Sequence, residues 1–296
     1  MAKRRYPAFR RIAIVAKAHR PGSASTVRRL VRWLRGRRGC QILIEQETAA
    51  ASGAGLPGLS REEIARRADL VVVIGGDGTL LSMARLVASR RTALLGVNLG
   101  SLGFLTEVTL PEIAPSLDSV LAGTARIDQR LMLRSRVLHA DALVADRLAL
   151  NDVVVTRGAL TRIIDLSVSV GGEFVTDVKA DGLIIASPTG STAYNLAAAG
   201  PIVHPDVDAM VLTPIAPHTL TNRPIVIPAS SEVRVQPKLN DGYDEVYVTF
   251  DGQFGLPLGQ DDLICVTRAE KPLRLVRAST RTYFEVLREK LKWGER

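Results

Sequence analysis

The chain has 296 residues, a length that suits one large domain or two smaller domains with a sizeable core. Its formal net charge is +9, so its surface attracts anions such as nucleotides, polyphosphate, nucleic acid or lipid headgroups. Aromatic residues make up only 4% of the chain and are not interleaved with basic residues, so the stacking surface of a nucleic-acid binder is not indicated. We therefore expect no nucleic-acid partner.

The cysteines and the apolar runs indicate a cytoplasmic protein without a membrane partner. Cys40 and Cys265 belong to no Cys-x-x-Cys pair, which argues against a disulfide framework or a zinc site. The apolar run 12–16 is too short for a signal peptide, and no run is long enough to span a membrane. The four histidines show no metal-ligand spacing.

The first part of the chain alternates predicted strands and helices. Residues 12–16, 40–45, 70–74 and 94–98 are predicted strands, and residues 27–34 place apolar side chains along one helix face. This alternation predicts a parallel α/β layer.

Two local patterns lie between the second and third of these strands. The Ala/Gly-rich segment 49–58 predicts a surface loop. Ser60, followed by Glu62 and Glu63, predicts the start of a short helix, because a serine caps the helix and the helix dipole favours acidic residues in its first turn.

The most informative motif is Gly-Gly-Asp-Gly-Thr at residues 75–79, between the Val-rich strand and a helix predicted to start at Thr79. Glycines permit a sharp turn there, and this edge of an open α/β sheet binds ligands and phosphates. Asp77 would repel phosphate unless a metal ion bridges the two or the carboxylate accepts a proton from an attacking hydroxyl, as phosphoryl transfer requires. A structural turn with a solvated Asp77 is the alternative.

This loop differs from two better-known glycine loops. It lacks the lysine of a P-loop and the third glycine of a dinucleotide fingerprint, so neither a usual NTPase nor a usual dehydrogenase is indicated. No Gly-x-Ser-x-Gly motif occurs, so nucleophilic catalysis is not indicated.

The chain beyond about Gly123 is rich in short β-type segments. They are residues 131–138, 152–156, 163–170, 173–178, 211–215, 233–236, 246–250 and 263–267. Near the end, Phe284, Leu287 and Leu291 predict an amphipathic helix. We predict an α/β fold with an N-terminal parallel α/β domain, residues 1–123 plus 275–296, to which the terminal helix returns. A C-terminal β-sandwich-like domain is predicted over residues 124–274.

A second strand–turn–helix arrangement lies in this β-rich part. A predicted strand over residues 181–186 is followed by Ser-Pro-Thr-Gly-Ser-Thr at 187–192 and by an Ala-rich helix predicted to end at Gly200. The hydroxyls and N–H groups suit a sugar, a base or a pyrophosphate, and Tyr194 can stack on a ring. An ordinary Ser/Thr helix cap is the alternative.

Asn151 and Asp152 precede another Val-rich segment. An adjacent amide and acid can bind an adenine edge and a ribose hydroxyl together, although Asn-Asp is also common in turns.

Taken in order, these motifs resemble the NAD kinase family over nearly the whole chain. The matching segments are residues 75–81, 98–105, 150–152, 181–182, 187–194, 217–220, 223–224 and 251–253. The Pro-Thr-Gly-Ser-Thr-Ala-Tyr block is highly specific, whereas Gly-Gly-Asp-Gly also occurs in diacylglycerol kinases, sphingosine kinases and phosphofructokinases.

The resemblance implies an α/β domain followed by a β-sandwich domain. It implies transfer of the γ-phosphoryl group of ATP, or of polyphosphate, to the 2′-hydroxyl of the adenosine ribose of NAD, which gives NADP. It also implies a divalent metal ion such as Mg²⁺ and a homodimer or homotetramer, with the site near a subunit contact. The sequence does not assign the metal ligands.

The resemblance also implies roles for residues at the matching positions. Asp77 is the implied catalytic proton acceptor. The implied phosphate-donor loop contains Gly75, Gly76, Gly78 and Thr79. The implied NAD-binding residues are Asp77, Gly78, Asn151, Asp152, Arg162, Lys179, Asp181, Thr192, Ala193, Tyr194, Asn195, Leu196, Ala197 and Gln253. Lys179 stands where other members can have arginine, so charge is kept but a bidentate contact is lost.

Two other function classes fit part of the pattern. A lipid or sugar kinase would share the glycine loop but would give no reason for Asn151 and Asp152 or for the hydroxyl-rich turn. An NAD(H)-sensing protein would bind the dinucleotide without transferring a phosphoryl group.

Overall fold

The structure is a computed structural model that describes residues 9–88, 90–158, 163–219, 221–239, 245–278 and 281–294. The chain forms two compact units: the first is Met1–Gln129 with Leu273–Arg296, and the second is Arg130–Pro272. The described residues form seven α-helices: α1 (Ser23–Arg35), α2 (Gln46–Ser52), α3 (Arg61–Arg67), α4 (Asp77–Val87), α5 (Ile113–Leu121), α6 (Tyr194–Ala197) and α7 (Tyr283–Leu291).

The same residues form nineteen β-strands. They are β1 (Arg11–Ala16), β2 (Gln41–Glu45), β3 (Gly58–Leu59), β4 (Leu70–Gly75), β5 (Ala93–Asn98), β6 (Arg126–Arg130), β7 (Leu133–His139), β8 (Ala142–Ala149), β9 (Asp152–Arg157), β10 (Ile164–Val170), β11 (Glu173–Ala180), β12 (Gly182–Ala186), β13 (Ala209–Ile215), β14 (Ile225–Pro228), β15 (Val233–Lys238), β16 (Val246–Phe250), β17 (Phe254–Leu258), β18 (Asp262–Arg268) and β19 (Leu273–Arg277).

The first unit is built on one sheet with the strand order β3-β2-β1-β4-β5-β19-β6. All pairs from β3 through β19 are parallel. β1 and β4 are almost completely buried apolar runs, which is the pattern of central strands covered on both faces. The strand order reverses between β1 and β4. The topological switch point therefore lies at Ala16 and Gly75, where open α/β sheets bind ligands.

The helices predicted in the first unit are present. The buried residues of α1 include the four that form its predicted apolar face: Val27, Leu30, Val31 and Leu34. α3 begins after Ser60, whose Oγ accepts a hydrogen bond from Glu63 N at 3.1 Å, while the Glu63 carboxylate accepts one from Ser60 N at 2.9 Å. This reciprocal capping box confirms the predicted helix start.

α2 corrects the prediction of a loop over residues 49–58. Glu45 caps this helix, because its carboxylate accepts a hydrogen bond from Thr48 N at 2.9 Å. The alanines that follow are the best helix formers, and Gly53 ends the helix with a φ of 61°. The prediction was wrong up to Ser52, because a capped alanine run forms a helix despite its small side chains.

The second unit is a β-sandwich of two six-stranded sheets. Their strand orders are β11-β10-β15-β18-β7-β8 and β14-β13-β12-β9-β16-β17, and neighbouring strands are antiparallel. Alternate residues of both sheets, such as Val153 and Leu166, form one apolar core. The edge strands β8, β14 and β17 were not predicted. β14 and β17 each contain a proline, which argues against a strand in a sequence, and half of the residues of β8 are exposed.

The C-terminal segment belongs to the first unit. β19 pairs with β5, and α7 begins after the capping residue Thr282 and buries Val286 and Leu287. The predicted fold class, with its returning terminal helix, is confirmed. Within the described ranges, no helix has the length and apolar character that a membrane span requires.

A buried ion-pair cluster fixes β19 in the first unit. Arg277 Nε lies 3.0 Å from Glu107 Oε2, and Arg277 Nη1 lies 3.4 Å from Asp128 Oδ2. The three side chains are 14%, 7% and 6% exposed, respectively. Arg277 therefore contacts two buried carboxylates, and Asp128 also pairs with Arg126, whose Nε lies 2.8 Å from Asp128 Oδ1.

We expect Arg277→Ala to lower the free energy of unfolding by about 3–5 kcal/mol, because it leaves Glu107 and Asp128 buried without this cation. Urea denaturation followed by circular dichroism measures the loss. Arg268→Ala is the control, since it breaks a pair with Asp208 in which both side chains are at least half exposed and should cost less than about 1 kcal/mol. Equal losses in both variants would contradict the role of burial.

Candidate active site

The glycine motif lies at the topological switch point of the first unit. β4 ends at Gly75, Gly76 caps α4, and Asp77 is the first residue of that helix. The helix thus starts two residues before the predicted Thr79. A Cβ on Gly75 would lie 2.7 Å from Thr79 Oγ1, so a glycine lets the first helical turn pack against the strand end.

The Asp77 carboxylate is held by a neighbouring loop. Asp77 Oδ1 accepts hydrogen bonds from Leu105 N at 3.2 Å, from Thr106 N at 3.1 Å and from Thr106 Oγ1 at 2.9 Å. Asp77 Oδ2 accepts one from Phe104 N at 3.0 Å. A carboxylate oxygen has about two acceptor positions, so Oδ2 retains capacity for one more donor while Oδ1 is saturated.

A glycine makes this arrangement possible. A Cβ on Gly103 would lie 2.2 Å from Asp77 Oδ1 and 2.3 Å from Thr106 Oγ1. The segment 98–105, which carries part of the family resemblance, therefore shapes the cradle of Asp77. Sequence reasoning did not assign the hydrogen-bond donors, because three of the four are backbone N–H groups.

Basic residues follow β1 at the same switch point. Lys17 N donates to Ile74 O at 2.9 Å, and Arg20 Nη1 would lie 3.0 Å from a Cβ on Gly100. Lys17 and Arg20 are exposed and add positive charge beside the glycine loop. The sequence analysis did not single them out; their position directly after a buried strand was the available signal.

In the second unit, Asn151 and Asp152 are held by Asp251. Its carboxylate accepts hydrogen bonds from the backbone N–H groups of Leu150, Asn151 and Asp152 at 3.0, 2.7 and 3.3 Å. Asp251 has a φ of 51°. Sequence reasoning placed Asp251 in a matching motif but gave it no role; the Asp-Gly pair after a strand signals only a turn.

The hydroxyl-rich turn is bonded to the same segment. Ser187 N donates to Asn151 O at 2.8 Å, Ser187 Oγ donates to Leu150 O at 2.5 Å, and Gly190 N donates to Ser187 Oγ at 3.1 Å. The structure therefore brings together two motifs whose bonded residues, Asn151 and Ser187, are 36 positions apart in the sequence. The Thr189 hydroxyl is buried and has no hydrogen-bond partner among the described residues.

The helix after this turn is shorter than predicted. Residues Gly190–Thr192 form a 3₁₀ turn, and α6 has only four residues, so the run does not continue as helix to Gly200. Asn195 explains the early end: its Nδ2 donates to Ser191 O and Pro201 O, each at 3.0 Å. A Cβ on Gly200 would lie 2.1 Å from Asn195 Oδ1.

The predicted residues 192–197 differ in their exposure. Asn195 is fully buried, and its Oδ1 accepts a hydrogen bond from Thr213 Oγ1 at 2.6 Å, so its side chain supports the turn from inside. Tyr194 is 46% exposed, which leaves its ring available for stacking. The remaining four are half-buried or exposed: Thr192, Ala193, Leu196 and Ala197.

Lys179 and Asp181 lie at the opposite end of β12 from the hydroxyl-rich turn. The strand's length corresponds to roughly 17 Å at ~3.4 Å per residue. Lys179 Nζ lies 3.8 Å from Asp165 Oδ2, and Asp181 Oδ1 lies 2.7 Å from Arg157 Nε. The predicted residues of one chain thus form two groups in this unit.

Gln253 and Arg162 are the last two predicted NAD-binding residues of the second unit. Gln253 is exposed in the turn after β16. Arg162 lies outside the described residues.

Burial, together with the nearby charge of Asp251, raises the pKa of the Asp152 carboxyl to about 7. The unfolded chain releases this proton near the ordinary pKa of 3.8, whereas the folded chain keeps it up to about 7. The stability that comes from this carboxyl is therefore complete below pH 3.8 and is lost as the pH rises through about 7.

We expect the free energy of unfolding of the wild type to fall, relative to Asp152→Asn, by up to about 4 kcal/mol between about pH 4 and pH 8. The asparagine is the matched neutral control. Urea denaturation of both proteins without nucleotide measures the difference. A difference that does not change with pH would contradict the raised pKa.

The described residues contain no group of three or more His, Cys, Asp or Glu side chains placed to hold a metal ion. Mg²⁺ usually keeps several waters and is bound by one or two carboxylates together with substrate phosphates. A metal ion that arrives with the phosphate donor would take most of its ligands from phosphate oxygens and water, so it would not need such a group of side chains.

Comparison with known proteins agrees with this geometry. Residues 12–125 match the family model of the ATP-NAD kinase N-terminal domain, and residues 150–278 match that of the ATP-NAD kinase C-terminal domain. The chain belongs to the NAD kinase family. The predictions of family, enzyme class and NAD kinase function are confirmed.

Members of the family from several organisms are similar over their full length. The NAD kinase of Geobacter metallireducens is 51% identical over 288 residues, which cover 97% of this chain and 100% of the relative. The NAD kinase of Solibacter usitatus is 45% identical over 290 residues, which cover 98% and 100%.

Two solved structures are also similar. Yeast NADH kinase complexed with NADH has a TM-score of 0.88 at 26% identity, with coverage of 98% of this chain and 89% of that chain. An NAD kinase from Archaeoglobus fulgidus in complex with ATP has a TM-score of 0.73 at 24% identity, with coverage of 94% and 99%, and shares the fold.

Proposed function

We propose that the chain transfers the γ-phosphoryl group of ATP, with polyphosphate as an alternative donor, to the 2′-hydroxyl of the adenosine ribose of NAD. The observation that carries this proposal is the held carboxylate of Asp77 at the switch point. Four donors fix its orientation, and Oδ2 keeps one acceptor position for a substrate hydroxyl. The two solved relatives, one complexed with NADH and the other with ATP, support both substrate classes.

The chemistry follows from this orientation. Asp77 Oδ2 accepts the proton of the 2′-hydroxyl while the hydroxyl oxygen forms a bond to the γ-phosphorus of ATP. The bond from that phosphorus to the bridging oxygen breaks, and ADP leaves with the electron pair. Phosphoryl transfer depends on positioning and charge neutralisation more than on covalent catalysis. A fixed carboxylate is therefore suited to the reaction.

The donor phosphates would meet the glycine loop. Gly75, Gly76, Gly78 and Thr79 form the turn and first helical residues at the carboxyl end of β4, where N–H groups bind phosphate. A bound divalent metal ion such as Mg²⁺ would neutralise charge on the transferred group. The ion would arrive with the donor phosphates, so the open position of Asp77 Oδ2 would stay available to the substrate hydroxyl.

The second unit would hold the dinucleotide. Asn151 and Asp152 would contact the adenosine, and the exposed ring of Tyr194 would add a stacking surface. Thr192, Ala193, Leu196 and Ala197 would line it, while Asn195 would keep the turn in shape. Gln253 and Arg162 stay proposed contacts through the family resemblance.

We also propose a homodimer or homotetramer in the cytoplasm. Lys179 and Asp181 lie at the opposite end of β12 from the hydroxyl-rich turn, and a second copy of the chain can supply such a group to a shared site. Multi-angle light scattering tests the oligomer. Cys40 and Cys265 are free, as expected in a reducing compartment.

The direct experiment mixes purified protein with NAD, ATP and Mg²⁺ and detects NADP with an NADP-specific dehydrogenase. Omission of ATP and replacement by polyphosphate test the donor. A parallel panel with diacylglycerol, sphingosine and a sugar phosphate tests the other kinases that share the glycine loop. Phosphorylation of one of these in place of NAD, or NAD binding without turnover, would contradict the proposal.

A further inference from the structure

Arginines line a cavity at the amino-terminal edge of the first unit's sheet, the edge opposite the glycine loop. The cavity has a volume of about 290 Å³. Five arginines contribute to its wall, and we call them the arginine basin: Arg11, Arg66, Arg90, Arg91 and Arg274. The remaining lining residues are Phe9, Ala65, Ala68, Asp69 and Thr92.

The fold itself gathers these side chains. Arg11 begins β1, Arg90 and Arg91 precede β5, and Arg274 lies on β19, which pairs with β5. Arg66 lies in the last turn of α3, just before β4. The parallel strands therefore bring residues from distant parts of the sequence to one edge.

Asp69 is the one acidic residue of the cavity wall, and it is already engaged. Its Oδ1 accepts hydrogen bonds from Arg11 Nη2 at 2.6 Å and from Arg11 Nε at 3.2 Å. Its Oδ2 accepts the backbone N–H groups of Arg10 and Arg11 at 3.1 and 2.8 Å. Asp69 thus neutralises Arg11, and the lining residues of the cavity include no second carboxylate.

Arg66, Arg90 and Arg91 are exposed and form no salt bridge with any carboxylate in the parts of the chain that the structure describes. The Arg274 side chain is held by the chain itself, because its Nη1 donates a hydrogen bond to the backbone carbonyl oxygen of Arg91. Like charges gathered around a concave surface repel one another, and a bound anion removes that repulsion.

We propose that the arginine basin binds a linear oligophosphate, either free or as the phosphate chain of a nucleotide. A planar guanidinium group donates two parallel hydrogen bonds to two oxygens of one phosphate, and this bidentate contact favours phosphate as the bound anion. Several linked phosphates match several cations better than one phosphate does. The basin lies roughly 17 Å from the glycine loop along β4, at ~3.3 Å per residue, so its occupant does not overlap the catalytic site.

Chemical protection mapping tests the proposal at the level of single residues. Phenylglyoxal modifies exposed arginines, and mass spectrometry of peptides measures each rate with and without sodium tripolyphosphate. We expect tripolyphosphate to slow modification of Arg66, Arg90 and Arg91. Arg29 and Arg32 on the exposed face of α1 should be unaffected. Comparison with UTP and inorganic phosphate distinguishes a nucleotide, a free oligophosphate and a single phosphate.

Calorimetry of the full chain gives the affinity. We expect the double variant Arg90→Gln/Arg91→Gln to weaken tripolyphosphate binding at the basin by about tenfold or more. The matched control, Arg29→Gln/Arg32→Gln, removes the same charge and should bind as the wild type does. Equal weakening in both variants, no protection of the basin, or protection by RNA alone would overturn the proposal. These readouts need no turnover, so they are independent of the NAD kinase assay.

Discussion

Asp77→Asn is expected to lower kcat by at least about a hundredfold with little change in the KM for NAD. Oδ1 accepts three hydrogen bonds, so the asparagine oxygen will occupy that position. The amide nitrogen then replaces Oδ2, where it can no longer accept a proton and faces the N–H of Phe104. Steady-state kinetics with varied NAD measure the effect.

Two controls separate loss of the proton acceptor from damage to the loop. Thr106→Val removes the hydroxyl donor to Oδ1 and leaves the carboxylate, so kcat should fall by less than about tenfold. Asp118→Asn makes the same chemical change at an exposed side chain of α5 and should leave kcat unchanged. Near-normal turnover of a folded Asp77→Asn protein would rule out the proposed role. A Thr106→Val defect as large as that of Asp77→Asn would mean that the cradle, not the proton transfer, limits the rate.

Gly190→Ala is expected to lower kcat/KM for NAD by about a hundredfold, because small displacements of a binding loop have effects of that size. The added Cβ would lie 2.0 Å from Asn151 O and 2.6 Å from Asn151 Cα. Both are backbone atoms, so either the hydroxyl-rich turn or the start of β9 must move. That movement breaks the hydrogen bond from Ser187 N to Asn151 O, which joins the two predicted NAD-binding motifs.

Gly259→Ala is the matched control in the same unit. Its added Cβ would lie 3.7 Å from Asp262 Oδ2, an ordinary van der Waals contact. Kinetics with varied NAD and thermal denaturation of both variants distinguish a local from a global defect. A Gly190→Ala protein with wild-type kinetics would show that the approach of the two motifs is not needed for catalysis.

The arginine basin lies at the edge of the first unit's sheet that is opposite Asp77. The same parallel strands that present Asp77 at their carboxyl ends gather arginines at their amino ends. Several of the cations that give the chain its net charge of +9 therefore share one cavity wall.

Local structure was predictable where it depends on a short motif. Gly-Gly-Asp-Gly-Thr after a buried strand predicted both the turn and the placement of Asp77, because the turn needs glycines and the chemistry needs a carboxylate. The capping box at Ser60 and the apolar face of α1 were also predictable, because each depends on residues that lie within a few helical turns of one another.

The supporting contacts were not predictable from such local patterns. The Asp251 carboxylate accepts hydrogen bonds from backbone N–H groups that lie 99 to 101 positions earlier in the sequence. Asn195 was predicted to line the NAD site, yet its amide saturates buried groups inside the turn. Nothing in the spacing of these residues distinguishes a side chain that faces a ligand from one that faces the core.

The sequence by itself determined the family and most of the elements, and it predicted a carboxylate in the turn after β4, because propensity, apolar period and motif spacing act over short distances. Only the tertiary structure decided which oxygen of Asp77 stays open, which loop supplies its donors and which arginines share a cavity. These depend on the order and direction of strands, which bring distant backbone groups within hydrogen-bond reach.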